Sequence, residues 1–156
     1  MQRKQVANRV LMVRPAAFGF NADTAASNAL QRPAIADAAA TQAAACSEFA
    51  ALAEALRLAG VGVCVVQDTP QPPKPDALFP NNWVSFHQDG TVVLYPMQAA
   101  SRRAERRREI IDEVARQLGF RVQRLLDLTP HEQRGEFLEG TGSLVLDHVR
   151  RTAYAC

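Results

Sequence analysis

Runs of apolar residues alternate with polar, glycine- or proline-containing segments, and their spacing predicts short strands and two helices. Residues 35–59 are almost all good helix formers, and Phe49, Leu52 and Leu56 recur at helical spacing as one apolar stripe that Gly60 then ends. The predicted strands, rich in β-branched and apolar residues, are RVLMVRP, VGVCVV, WVSFH, TVVLYPM and FRVQRLL. This order predicts an α/β fold.

A second helix is predicted in RRAERRREIIDEVARQLG, where Ile110, Ile111, Val114 and Leu118 face one way and the arginines mostly another. WVSFH and TVVLYPM flank QDG, which is typical of a β-hairpin. A further hairpin can be drawn from SLVLDH and TAYAC, with VRR as its turn. The middle of the chain therefore reads strand, strand, helix, strand. The first part has at least a strand, a helix and a strand, which indicates an internal repeat.

Two segments leave alternatives open. QDTPQPPKPDALFP is rich in proline and is either a domain linker or a long functional loop within one domain. TAYAC is an apolar, uncharged strand, and an exposed strand of this kind is an aggregation liability. We therefore expect the chain to be a piece of a longer protein or a truncated reading frame. The plain alternative is a natural C-terminal strand inside a sheet, and the same edge could also pair copies in a homo-oligomer.

The composition is that of an ordinary soluble domain, with 156 residues, 47% of them hydrophobic and 22% charged. A net charge of +2 does not indicate a nucleic-acid partner, and we interpret SRRAERRRE as a solvated helix face. The sequence has no run of eighteen apolar residues and no signal-peptide core, so we predict no membrane span and a cytoplasmic protein.

Cysteine and histidine usage indicates neither a disulfide framework nor a metal site. The three cysteines, Cys46, Cys64 and Cys156, are few and scattered, and the chain has no CxxC motif. The three histidines lie far apart without metal-ligand spacing. We therefore predict no metal and no cofactor.

Three polar clusters could carry chemistry, namely PDALFPNNW, SRRAE and GEFLEGTGS. Asn81 and Asn82 either form a turn before a strand or are directed at a ligand. Arg102 is either a solvated helix start or, because arginine there opposes the helix dipole, part of a site for an anion. Glu139 enters an apolar, glycine-rich segment, where burial of a lone carboxylate is costly.

Taken together, the segments LMVRPAAFGFNADTAASN, LFPNNWVSFH, GTVVLYPMQAASRRAERR and FLEGTGSLVLDH resemble the N-terminal half of the arginine deiminase and amidinotransferase superfamily. The branch they resemble most is the citrulline-utilization hydrolase type. The resemblance implies the pentein fold, a five-bladed α/β propeller of strand-strand-helix-strand blades around a central pocket. Residues 1–156 would form a single partial domain of two blades and the start of a third, without the C-terminal catalytic portion.

The resemblance also implies site residues. Glu139 would be catalytic, because it matches the glutamate that supports the histidine and the substrate in relatives. The residues that match substrate-binding positions are Asn82, Asn81, Arg102, Asp76, Phe18 and Asn21. The family's cysteine nucleophile and histidine base would lie beyond residue 156, so we expect no turnover from this chain alone. Relatives with similar N-terminal halves catalyse hydrolysis or amidino transfer, and both reactions stay open.

The two asparagines bear on the substrate. A carboxylate matches a guanidinium in charge and geometry, whereas a carboxamide offers both a donor and an acceptor to a neutral ureido group. Asn81 and Asn82 therefore favour a citrulline-like substrate and hydrolysis to ornithine over an arginine-like substrate. The alternative from another class is a non-catalytic module of the same fold that binds a small ligand or takes part in an assembly.

Overall fold

A computed structural model describes residues 5–26, 28, 31–32 and 37–155. The expected start of the first helix at residues 35–36 and the final Cys156 lie outside the described residues. The strands are β1 (Arg9–Arg14), β2 (Gly62–Gln67), β3 (Val84–Phe86), β4 (Thr91–Leu94), β5 (Arg124–Asp127), β6 (Leu144–Asp147) and β7 (Thr152–Ala155). The helices are α1 (Ala38–Leu58), α2 (Ala100–Arg103), α3 (Arg108–Leu118) and α4 (Gly140–Ser143), with 3-10 turns at Pro80–Asn82 and Thr129–Arg134.

Over the described residues, the strands form three small, open sheets. β1 pairs with β2 in parallel, β4 lies between antiparallel β3 and parallel β5, and β6 pairs with antiparallel β7. Parallel neighbours need a crossover, which α1 supplies between β1 and β2 and α3 supplies between β4 and β5. These crossovers confirm the α/β class. The second sheet contains the predicted strand-strand-helix-strand unit, but the described residues do not form a propeller.

Capping residues explain where the first helix begins and ends. Asp37 caps it by accepting a 2.8 Å hydrogen bond from the Ala40 N–H, and Gly60 takes a φ of +80° just beyond its end. The predicted apolar stripe is partly wrong, because Leu52 is 55% exposed. Phe49, Ala53 and Leu56 follow helical spacing along the covered face instead, and Leu52 lies one residue, or about 100°, away from Ala53.

The second predicted helix is broken into α2 and α3 at residues 104–107. In this break Glu105 turns inward to Arg102, and Arg106 turns towards Glu132 and the Tyr95 carbonyl. These contacts draw the backbone out of the helix. The apolar positions of α3 are buried as predicted, and Gly119 ends it at a φ of +60°.

The proline-rich segment is a packed loop and does not have the character of a flexible linker. Lys74 is 1% exposed, lies 3.3 Å from the Asp68 carboxylate and donates to the Thr69 and Pro72 carbonyls. Ala77 from the same loop enters the hydrophobic core. The loop leads directly into the turn that carries Asn81 and Asn82. The core comprises Val13, Ala77, Trp83, Val84, Val92, Met97, Ile110 and Ile111.

The last hairpin matches its prediction over the described residues. β6 and β7 are joined by a turn at residues 148–151, one residue longer than predicted, in which Arg151 has a φ of 56°. All four described residues of β7 are exposed. Within the described part of the chain, no helix is both long and apolar enough to cross a membrane.

Candidate functional site

The two adjacent asparagines form a turn and also direct their side chains at a second segment. In the 3-10 turn Pro80–Asn82, the Asn82 N–H donates to the Phe79 carbonyl at 3.2 Å. The turn is anchored by Trp83, which is 1% exposed in the core. The turn alternative is therefore confirmed, whereas a role of Asn81 and Asn82 at a ligand stays a prediction.

The asparagine side chains contact the glycine-rich segment around Glu139. Asn82 Nδ2 donates to Glu139 Oε2 at 3.2 Å, and Asn81 Nδ2 donates to the hydroxyl of Thr141 at 3.0 Å. Asn81 Nδ2 also donates to Asn82 Oδ1 at 3.0 Å, which fixes the two carboxamides relative to each other. Residues 57 positions apart in the sequence are thus brought into direct contact.

The glycines after Glu139 allow this approach. Gly140 has a φ of +41°, and a Cβ atom there would lie 2.1 Å from the main-chain oxygen of Asn81. A Cβ on Gly142 would lie 2.9 Å from Asn82 Nδ2. A side chain at Gly140 would therefore force apart the two backbones that hold the asparagine turn against Glu139.

The Glu139 carboxylate is held on both oxygens while part of it faces outward. Oε1 accepts from the Gln98 N–H at 3.0 Å, and Oε2 accepts from Asn82 and lies 3.7 Å from Arg102 Nη1. The Glu139 side chain is 22% exposed. Part of this side chain therefore faces solvent.

Behind Glu139 lies a buried ion cluster centred on Arg102, which is 5% exposed. Arg102 Nε and Nη2 donate to the two oxygens of Glu105 at 2.9 and 3.0 Å, which is a bidentate pair. Asp76 Oδ2 lies 3.8 Å from Arg102 Nε and accepts a 2.7 Å hydrogen bond from Asn21 Nδ2. The cluster links the first loop, the proline-rich loop and α2 to Glu139.

The pKa of Glu105 is raised, chiefly by burial and also by the charges of Asp76 and Glu139, against the opposing hydrogen bond and charge of Arg102. Burial alone would lower the pKa of Arg102, but the hydrogen bond and charge of Glu105 and the charges of Asp76 and Glu139 raise it. The pKa of Arg102 and the pKa of Glu105 are thus both raised, the first by its carboxylate neighbours and the second chiefly by burial.

The structure joins Asn21, Asp76, Arg102, Glu139, Asn82 and Asn81 in one continuous polar network. Phe18 differs, because its described hydrogen bond is from its N–H to Gln42 of α1 at 2.6 Å. Sequence reasoning gave Glu105 no role of its own. The arginine-to-glutamate spacing of three residues in SRRAE was the signal that could have found it.

The described cysteines do not lie in a nucleophile setting. Cys64 is buried in β2, and burial, followed by the charge of Glu113, raises the pKa of its thiol. A thiol of raised pKa is a poor nucleophile because the thiolate is the reactive form. Cys46 Sγ accepts from Gln42 at 3.1 Å on α1. Among the described residues, no group of three or more His, Cys, Asp or Glu could hold a metal ion.

This chain is similar to a solved structure and to a protein-family profile. A solved structure of an arginine dihydrolase from the ornithine–ammonia cycle of cyanobacteria, ArgZ in its apo form, superposes with a TM-score of 0.57 at 18% sequence identity. The match covers 94% of the present chain but 18% of that chain, so the likeness concerns the fold of one portion. Comparison with curated proteins found no match.

The profile of the eukaryotic N,N-dimethylarginine dimethylhydrolase family matches residues 14–156. This region contains every candidate site residue, from Phe18 to Glu139. The match and the structural likeness support the pentein superfamily, whereas the citrulline branch of the resemblance stays a prediction. Because the match covers nearly all of its length, the chain belongs to the N,N-dimethylarginine dimethylhydrolase family.

Proposed function

We propose that this chain supplies the substrate-holding part of an enzyme that hydrolyses a C–N bond in the guanidino or ureido group of an arginine-like amino acid. The observation that carries the proposal is the contact between the Asn82 carboxamide and the Glu139 carboxylate. This contact places an acceptor, the carboxylate of the partly exposed Glu139, beside a donor, the Asn82 amide. The buried ion cluster of Arg102 lies behind them. Family membership adds the substrate class, since the matched family is described by its action on dimethylarginine.

The polar atoms of the site favour a neutral ureido group. Asn82 Nδ2 carries two hydrogens and donates one of them to Glu139. In this proposal the second hydrogen is donated to the ureido oxygen. Glu139 can accept from a ureido nitrogen. A guanidinium has no acceptor for the amide hydrogen, and Arg102 already places a positive charge 3.7 Å from Glu139. We therefore propose a citrulline-like substrate, with ornithine as the product.

The nucleophile and the base are proposed to come from chain segments other than the described ones. Cys64 is buried, and Cys46 is hydrogen-bonded on α1. Covalent catalysis requires a nucleophile beside an activating base. In the proposed complete protein, these segments would complete a pentein propeller around the Asn82–Glu139 contact.

Isothermal titration of the chain with citrulline, arginine and N,N-dimethylarginine tests the proposal, with leucine as the ligand that lacks the nitrogen-rich group. We expect citrulline to bind more tightly than arginine, leucine not to bind, and no ornithine to form. Asn82→Leu should abolish binding, whereas Gln88→Leu, in the exposed β3–β4 turn, should leave it unchanged.

Tighter binding of arginine than citrulline would overturn the ureido preference while keeping the substrate class. Equal and weak binding of all four ligands would overturn the proposal as a whole. Binding without turnover, even after every other segment of the protein is supplied, would favour the non-catalytic ligand-binding module.

A further inference from the structure

We propose that Glu132, with the two arginines that it pairs, is a positioning residue for the candidate site. Glu132 fixes the main chain of residues 95–98, which lie between β4 and α2, and this segment in turn holds the carboxylate of Glu139. The inference rests on the proposed function for its significance, whereas its geometry needs no ligand.

The 95–98 segment contacts the candidate site through its main chain. The Gln98 N–H donates to Glu139 Oε1 at 3.0 Å, and the Pro96 carbonyl accepts from the Leu138 N–H at 3.0 Å. The other carboxylate oxygen of Glu139 accepts from Asn82 Nδ2 at 3.2 Å. The position of the Gln98 main chain therefore helps to fix the carboxylate that Asn82 contacts.

The same segment is also held by charged side chains. Glu132 Oε1 accepts from the Met97 N–H at 2.8 Å, directly before Gln98 in the chain. Arg103 Nε donates to the Met97 carbonyl at 3.0 Å, and Arg103 Nη2 donates to the Gln98 carbonyl at 3.4 Å. Because residues 95–98 lie outside the strands and helices, these side chains satisfy main-chain groups that have no ladder partner.

Glu132 is the shared partner of both arginines. Its two carboxylate oxygens accept from Arg106 Nη1 and Nη2, the second at 3.1 Å, and Arg103 Nε lies 3.2 Å from Oε2. Arg106 Nη1 also donates to the Tyr95 carbonyl at 3.3 Å. The Glu132 side chain is only 10% exposed, so solvent screens its charge weakly. Without this charge, two cations would remain beside the segment and the Met97 N–H would lose its acceptor.

Arg103 links this cluster to the Glu139 segment by a second route. Its Cζ lies 6.0 Å from the ring centroid of Phe137, the residue before Leu138. A cation at about this distance from an aromatic ring is attracted to it. Loss of the Glu132 charge should therefore act both at Gln98 and at the residues that lead into Glu139.

Nitrogen-15 NMR of the ligand-free chain tests this inference through the side-chain amide of Asn82, whose signals are assigned by their loss in Asn82→Leu. In Glu132→Gln we expect these signals to shift, because a displaced Glu139 carboxylate changes the hydrogen bond that Asn82 donates. Glu139→Ala removes this acceptor, so adding Glu132→Gln to it should cause no further shift. A merely structural role of Glu132 would lower the free energy of unfolding without moving the signals of the folded chain.

Glu113→Gln is the matched control. Glu113 lies on α3 and also accepts from one arginine, Arg116, through both carboxylate oxygens. Its loss should leave the Asn82 signals in place. The inference is overturned if these signals stay in place in a folded Glu132→Gln chain, or if Glu113→Gln moves them equally. A further shift when Glu132→Gln is added to Glu139→Ala would also overturn it.

If Glu132→Gln does not fold, Arg103→Gln decides. Arg103 is 34% exposed, and its replacement removes the bonds to the Met97 and Gln98 carbonyls while Glu132 stays paired with Arg106. We expect the same shift of the Asn82 signals in this variant. Unchanged signals in a folded Arg103→Gln chain would then refute the inference.

The outcome is separable from that of the proposed function, because these signals need no ligand. A shift of the Asn82 signals in a Glu132→Gln chain, when the unaltered chain binds no citrulline, would refute the function and leave the positioning intact. Where citrulline binds, Glu132→Gln should weaken binding by about tenfold, the effect of about one hydrogen bond, and Glu113→Gln should not. Unaltered affinity in Glu132→Gln would refute the positioning role and leave the function standing.

Discussion

The guanidinium of Arg102 lies among three carboxylates, so its removal leaves more unpaired charge than the loss of any single acid. Arg102→Ala would strand Glu105, which is 4% exposed, without its cation. We expect a loss of about 3–5 kcal/mol in the free energy of unfolding, the usual cost of breaking a buried pair. Arg102→Lys should lose less, because it keeps the charge and gives up the planar fork.

Urea unfolding monitored by circular dichroism measures both variants. Arg57→Ala is the control, since Arg57 forms an exposed pair with Glu54 at 3.8 Å and should cost less than about 1 kcal/mol. A loss for Arg102→Ala no greater than that of the control would contradict the buried cluster.

Glu132 gives a pH dependence of opposite sign to that of Glu105. Burial alone would raise the pKa of Glu132, but hydrogen bonds from Arg106 and the Met97 N–H, with the charges of Arg106 and Arg103, lower it. A folded-state pKa below the unfolded value contributes stability above about pH 4.5 that is lost as the pH falls through the folded-state pKa. We predict that Glu132→Gln removes part of the acid-induced loss of stability.

Thermal unfolding from pH 7 to pH 3 checks this prediction. Glu48→Gln, at an exposed position of α1, is the control and should follow the unaltered chain. Parallel acid profiles for the unaltered chain and Glu132→Gln would show that Glu132 is not held by Arg106.

At the scale of elements, the close approach of the asparagine turn to α4 depends on Gly140 and Gly142. Gly140→Ala would place a Cβ 2.1 Å from the Asn81 main-chain oxygen at a φ of +41°, so the backbones must separate. We expect a loss of about 1–3 kcal/mol, the range for a strained backbone, and loss of the Asn82 amide shift that marks its bond to Glu139. Gly19→Ala, with no atom within 4 Å of its Cβ and no positive φ, should be neutral.

Urea unfolding together with the Asn82 amide signals measures the Gly140 effect. If Gly140→Ala were as stable as Gly19→Ala and kept the amide signals, the close approach of the two segments would be wrong.

Local pattern predicted most elements because each strand and helix carries its own periodicity and end signals. The seven strands of the described residues follow from apolar spacing, and the ends of α1 and α3 follow from Gly60 and Gly119. The break between α2 and α3 did not follow, because it depends on Arg106 meeting Glu132, 26 residues away. Propensity is overridden there by tertiary contacts.

As with the secondary-structure elements, part of the candidate site could be predicted from the sequence and part could not. The family resemblance identified residues that the structure joins in one network. The number of charged residues, however, could not predict that the Arg102 side chain is buried. Its burial results from Glu105 and from main-chain carbonyls of a distant loop. These partners become neighbours only after the proline-rich loop folds, which Lys74 and Asp68 secure.

At the scale of the whole molecule, the β6–β7 hairpin leaves an apolar face uncovered. Val145 and Tyr154 are cross-strand partners, 68% and 57% exposed, and line an open depression of about 450 Å³. A two-stranded hairpin is marginally stable alone. We predict that copies of the chain associate through this face, and that Val145→Lys with Tyr154→Lys abolishes the association.

Light scattering after size-exclusion chromatography, over a range of concentrations, tests the association. Leu58→Lys, at an 81% exposed apolar position of α1, is the control and should associate like the unaltered chain. A chain that stays monomeric at every concentration would contradict the prediction.

The two main-chain oxygens that receive Arg102 have a consequence for how this site could diversify. Arg102 contacts the main-chain carbonyls of residues 76 and 79. These contacts therefore do not depend on which side chain residue 79 carries. That side chain is 45% exposed and directly precedes the asparagine turn. Substitutions of Phe79 could therefore change the surface beside the asparagine turn during the evolution of a new ligand specificity, while the contacts of Arg102 with the loop backbone are kept.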